Sequence, residues 1–195
     1  MKYKLACGLL SVCMLFSLTS CGGQTSSTGS VNADEIERIN AEETYPSIPA
    51  TLAVTYHDVE SIIDDADIVI KGTVTEQDEV LLDGFPQTHT MMDVTSVLKG
   101  DVRVGDSIEV IEEGGIDGRL VCGIPQLSTD YDYYLMLLEY EGAYYVCGAF
   151  QGRFVERDGY VFQQATEDVK LTRAYSPLSS EEFESIVLAR VEASE

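Results

Sequence analysis

The 195-residue chain contains no tryptophan, only two histidines, and 12 lysines and arginines against 34 aspartates and glutamates. Without tryptophan, a sugar-stacking platform lacks the ring that most often completes it. The formal charge of −22, with no Lys/Arg stripe to offset it locally, repels nucleic acid and anionic headgroups, so nucleic-acid binding is excluded. Neither His57 nor His89 is accompanied by a Gly-x-Ser-x-Gly elbow or another nucleophile turn. Both are read as surface histidines, and no catalytic residue is assigned. Long apolar runs are missing too: Leu5 to Leu18 covers 14 residues, and a spanning helix needs about 20.

What the chain does have begins at its N-terminus. Lys2 and Lys4 precede the apolar run, and small residues lead into a cysteine, the layout of a signal peptide and its cleavage site. Leu18-Thr19-Ser20-Cys21 resembles a bacterial lipobox. That resemblance implies a diacylglycerol thioether on Cys21, cleavage before it, and acylation of the new amine with a fatty acid such as palmitate. The expected location is the extracytoplasmic face of the cell membrane, where two or more acyl chains hold a protein that one chain would hold only marginally. Cleavage removes two of the 12 basic residues and none of the 34 acidic ones, leaving a net charge of −24. The acid excess reads either as a solvated surface or as a cation site, which needs converging ligands.

The expected layout is a signal peptide over 1–20, a lipidated cysteine and tether over 21–56, and one domain over 57–195, a size suited to a single core. Gly22 to Ser30 is a Gly/Ser/Thr/Gln stretch without apolar periodicity, as a flexible tether is. Cys7 and Cys13 leave with the signal peptide, so Cys122 and Cys147 are the only unmodified thiols. Two cysteines make no zinc site alone. In an exported setting they either form a disulfide or remain as two small buried side chains, and the bridge is the expectation.

Val59, Ile62, Ile63 and Ala66 recur at helical spacing and predict a helix over about 57–66, with Asp64 and Asp65 turned to solvent against the helix dipole. The period then becomes two. Ile68-Val69-Ile70 with Val74 predicts a strand, bent at Gly72. Val80-Leu81-Leu82 reads as a separate short run broken by Gly84 and Pro86. Thr88 to Leu98, with Met92 and Val94 inward, and Ile108-Glu109-Val110, ending at Gly114-Gly115, follow as strands. Hairpins are predicted across Glu141-Gly142 and Asp158-Gly159. Ser179-Ser180-Glu181-Glu182 supplies a capping box ahead of the apolar stripe Phe183, Ile186, Val187 and Val191, a C-terminal helix. The expected fold is mainly β, a small OB-like antiparallel barrel of five to seven strands with a flanking helix near each end. An open sandwich is the alternative.

Ala66-Asp67-Ile68-Val69-Ile70-Lys71-Gly72-Thr73-Val74, Val97-Leu98-Lys99-Gly100, Val121-Cys122-Gly123 and Tyr134-Leu135 resemble successive landmarks of netrin-like modules. These are OB-type barrels best known in tissue inhibitors of metalloproteinases. With Gly148-Ala149-Phe150-Gln151-Gly152-Arg153-Phe154 added, the landmarks also resemble a domain of Gram-positive lipoproteins, over about residues 58–190. The resemblance implies a fold rather than an activity. In those inhibitors a free N-terminal cysteine chelates the protease zinc. An acylated Cys21 at the end of a tether does not fill that role, which leaves inhibition the weakest reading.

Asp64-Asp65-Ala66-Asp67 and Asp130-Tyr131-Asp132 are rich in acids but lack the glycine and distal glutamate of a calcium loop, so no metal or cofactor is assigned. Tyrosine is concentrated instead: six of 11 lie between residues 131 and 145. Tyr133 and Tyr134 are expected on opposite faces of one strand, with at least one meeting solvent or a barrel mouth. Tyr131, Tyr133, Tyr140 and Tyr144 are therefore the candidate contacts, against the alternative that these rings fill the core edge. The expected function is a membrane-tethered module that binds an envelope protein or glycan; an envelope enzyme of hydrolase type is the alternative.

Overall fold

The computed structural model describes residues 47–48, 54–116, 119–121, 125–164 and 177–194, the first and third of these as backbone only. Cys21, the expected signal peptide and Cys122 lie outside the described residues. Among the described residues no helix is long and apolar enough to cross a membrane.

Helix α1 spans Val59–Asp65. It is shorter than its apolar stripe because Asp58 stays extended and caps it, its carboxylate accepting the Ser61 N–H at 2.9 Å, while Ala66 has already left the helical region. The acids at its end are compensated from elsewhere. The Lys99 ammonium donates to the carbonyls of Ile63 (2.7 Å) and Asp64 (3.1 Å), cancelling charge at the negative end of the dipole.

The remainder is mainly β: β1 (Ser47–Ile48), β2 (Ile68–Leu82), β3 (Phe85–Lys99), β4 (Ser107–Gly115), β5 (Arg119–Val121), β6 (Asp132–Tyr140), β7 (Ala143–Val146), β8 (Arg153–Arg157), β9 (Tyr160–Gln163) and β10 (Leu178–Ser179). Helix α2 (Ser180–Ser194) closes the described chain. One connected ten-stranded sheet results, with β1 and β5 a small flap on the end of β4. Five to seven strands were expected; the surplus is β1, β5 and β10, pieces of two or three residues, too short to leave a period in the sequence. The connection from β3 turns at Gly100, with φ at +93°. A Cβ there would lie 2.5 Å from both the Asp67 carbonyl and the Ile68 Cγ2, so this close approach requires glycine.

The ladders run β2–β3, β3–β4, β4–β7, β7–β6 and β6–β2, a partial ring whose weakest link is the two-pair parallel contact of Val110 with Tyr144 and Ile111 with Tyr145. The β2–β3 register slips between Lys71 and Gly72, the bend that the glycine predicts.

Two apolar clusters lie on the two faces of this sheet. Inside the ring are Ile68, Ile70, Val74, Met92, Val94, Val110, Leu135, Leu137 and Val155. Outside it, Val69, Tyr134, Met136, Phe154 and Val161 meet Ile62 and Ile63 of α1 and Phe183 and Val187 of α2. Burial on both faces explains why Ile68-Val69-Ile70 is continuously apolar rather than alternating. Each such side chain contributes about 1.5–3 kcal/mol through burial. Ser179 and Glu182 form the expected capping box: the Ser179 hydroxyl accepts the Glu182 N–H at 3.2 Å, and the Glu182 carboxylate accepts the Ser179 N–H at 3.1 Å. The Arg190 guanidinium then grips the Asp64 carboxylate, with Nε donating to Oδ1 at 2.7 Å, and pins α2 to α1.

Candidate functional site

β6 carries the tyrosines, and its two faces explain their different fates. Tyr133 and Tyr134 point to opposite sides as the pleat demands, yet neither meets solvent; both are completely buried. The expectation of at least one surface ring fails because α2 covers the outer face. Inside the ring, the Tyr133 hydroxyl accepts the Ser128 N–H at 2.9 Å, and burial pushes its pKa up to about 12. Outside it, the Tyr134 hydroxyl donates to Glu184 at 2.6 Å, and its ring packs 5.0 Å from that of Phe183. Burial, then the Glu184 carboxylate, raise the Tyr134 pKa.

The other candidates divide. Tyr140, at the hairpin end, is 63% exposed, with Tyr145 edge-on at 6.4 Å and exposed Leu138 on the same outward face. Tyr144 leans half-buried against the inner cluster, and burial followed by the Glu139 charge raises its pKa. Tyr131 stands edge-on to Tyr133 at 6.4 Å and borders an open cleft of about 410 Å³ shared with Thr129, Asp130, Asp132, Glu156, Arg157 and Asp158. Asp132 and Glu156 oppose each other directly across the β6–β8 ladder, a like-charge pair that repels. Two neighbours relieve it: the Thr73 hydroxyl donates to Asp132 at 2.8 Å, and the Lys71 ammonium meets Glu156 at 2.5 Å. Lys71 also lies 5.5 Å from the Tyr134 ring centroid.

The acids between 64 and 67 have structural partners: Asp64 is held by Arg190, and the Asp67 carboxylate accepts the Glu139 N–H at 2.8 Å. Among the described residues no group of three or more His, Cys, Asp or Glu side chains is placed to hold a metal ion. His57 is exposed beside the α1 cap, and His89 Nδ1 sits 2.8 Å from a Glu109 carboxylate oxygen. Cys147 is a buried free thiol whose pKa is pushed up to about 12 by burial, then by Asp65 and Asp67, so it is a poor nucleophile at neutral pH. Its expected partner, Cys122, lies outside the described residues.

The most enclosed charged pair among the described residues has no counterpart in the sequence-based candidates. Arg153 Nη1 meets Glu112 Oε1 at 2.5 Å, with the arginine wholly buried and Glu112 nearly so. The other Glu112 oxygen accepts the Leu127 N–H at 3.0 Å, and Arg153 Nη2 donates to the Pro125 carbonyl. Gln126 Nε2 donates to the Glu113 carbonyl at 2.9 Å and Gln77 Nε2 to that of Leu127 at 2.7 Å. Together they strap residues 125–128 across the ring. Burial raises the Glu112 pKa, opposed by Arg153 and the Leu127 amide. Such a pair positions chain and is closed to substrate. Its signal was available: Ile108, Val110 and Glu112 share one strand parity, so Glu112 had to point inward with the aliphatics.

No protein-family model matches the chain, and no curated protein matches it.

Proposed function

We propose that the chain is a lipoprotein anchored through Cys21 on the extracytoplasmic face of a membrane, and that its β domain is an OB-type barrel acting as a binding module for an envelope protein or glycan. The circuit β2–β3–β4–β7–β6, with its parallel β4–β7 closure, fits the five-stranded Greek-key barrel of that type. The observation that carries the binding reading is the outward face of the β6–β7 hairpin, where Tyr140 stands clear of the core beside Tyr145 and Leu138. An exposed tyrosine adds apolar area and a hydroxyl to an interface at little entropic cost. The groups with most chemical potential, Cys147, Glu112 and Arg153, are committed to the interior.

The test uses the full lipidated chain as bait on intact cells, with Tyr140→Ala and Tyr131→Ala compared at equal folded fraction. A contact tyrosine should cost about 1–2 kcal/mol of partner binding when truncated. Unchanged binding in both variants would remove the tyrosine surface from the account. The anchor is tested separately: Cys21→Ala should abolish incorporation of labelled fatty acid, and equal labelling of the variant would refute lipidation.

A further inference from the structure

A second surface stands apart from the tyrosines. The β2–β6 ladder ends at Thr73 and the β3–β4 ladder at Gln87, so the hairpin end from Val80 to Phe85 projects past both. There Val80, Leu81, Leu82 and Phe85 are 41%, 61%, 57% and 72% exposed, the densest group of exposed large apolar side chains among the described residues. The end is not a loose loop. Leu82 pairs with Phe85 across a two-residue turn in which Asp83 and Gly84 have φ of 51° and 85°, the positive pair a tight hairpin turn requires. An apolar end held in one conformation loses little entropy on binding.

Its charge selects the occupant. From Gly72 to Leu98 the sequence has no lysine or arginine, and Glu76, Asp78 and Asp83 are exposed around the apolar end. A second copy would bring these acids against their own kind, and an anionic bilayer would meet a strongly acidic chain, of net charge −22 over the full sequence and −24 without residues 1–20. We infer that the β2–β3 hairpin end is a docking prong for a partner protein presenting an apolar cleft rimmed by lysine or arginine. This rests on the binding-module reading but not on the tyrosine face.

The experiment places a photo-reactive phenylalanine analogue at position 85, and in a parallel strain at position 140, of the full chain in cells that make it. Position 85 should cross-link to another protein. Purified, that protein should bind the wild-type chain about tenfold more tightly than Leu82→Ser, as a hot-spot side chain requires. Asp78→Lys and Asp83→Asn should each weaken binding and flatten its salt dependence, with melting temperatures unchanged. Adducts only with the chain itself or with lipid overturn the proposal, as does a partner indifferent to these substitutions. Adducts at 140 but not at 85 overturn the prong while sparing the binding module; adducts at neither position overturn both.

Discussion

The two halves of β2 belong to one strand and have opposite surroundings. Between Ile68 and Val74 the strand pairs with β3 from Val69 on one side and with β6 from Ile68 to Thr73 on the other, and its aliphatic side chains there are buried. From Thr75 to Leu82 the strand keeps its β3 partner, but every residue except the half-buried Gln77 is exposed. Backbone pairing therefore continues past the point where packing stops. The first half holds the domain together, and past Gln77, which still reaches the 125–128 strap, the second half presents its side chains to solvent. Since a two-stranded hairpin is marginal by itself, the outer half depends on the inner for its shape.

The largest effect that can sharpen this contrast belongs to the buried pair. Arg153→Met leaves the Glu112 carboxylate enclosed without its cation and should destabilise the fold by about 3–5 kcal/mol, read as a shift in the denaturation midpoint. Adding Glu112→Leu should recover part of that loss, because it removes the unpaired buried charge while still leaving the Leu127 N–H and the Pro125 carbonyl without the partners they have here. Next come the two faces of β6. Leu135→Ala inside the ring and Met136→Ala beneath the helices should each cost about 2–5 kcal/mol in the same assay. A negligible cost for Met136→Ala would mean that the outer face is not a second core.

A smaller effect joins the helices. The Arg190 guanidinium beside Asp64 holds that carboxyl below its usual 3.8, and the Ser179 hydrogen bonds hold Glu182 below its usual 4.5. For a depressed carboxyl the stabilisation is complete above the unfolded value and disappears as pH falls through the folded one. Thermal stability should therefore drop below about pH 4.5. Arg190→Ala should flatten the Asp64 part of that profile, below about pH 3.8, and leave the neutral-pH fold intact. The smallest effect is expected at the prong: Leu81→Ser, Leu82→Ser and Phe85→Ser should each change stability by no more than about 0.5 kcal/mol. A loss of several times that would make the hairpin end part of the folding core.

Local periodicity carried much of the fold. The α1 stripe, the bend at Gly72, both hairpin turns and the Ser179–Glu182 capping box all lie where their spacing places them. Long-range covering was not legible. β2 read as two runs because Thr75-Glu76-Gln77-Asp78-Glu79 is polar on both faces, as only a segment outside the core can be. Pro86 read as a breaker, yet it is tolerated in β3 because the β4 ladder begins at Gln87. Tyr133 left the candidate surface for the same class of reason: no local pattern says that the 125–128 strap and α2 close over β6. Tyr140, four positions beyond Met136, the last β6 residue of the outer cluster, kept the exposure its place at the turn suggested.

Native-state hydrogen exchange along β2 tests the division of the molecule most directly. The interstrand-bonded amides between Ile68 and Thr73 should exchange only through global unfolding, and those between Glu76 and Leu82 through a local opening of clearly lower free energy. Equal protection along the whole strand would show that the hairpin end is welded into the core, and would contradict the account.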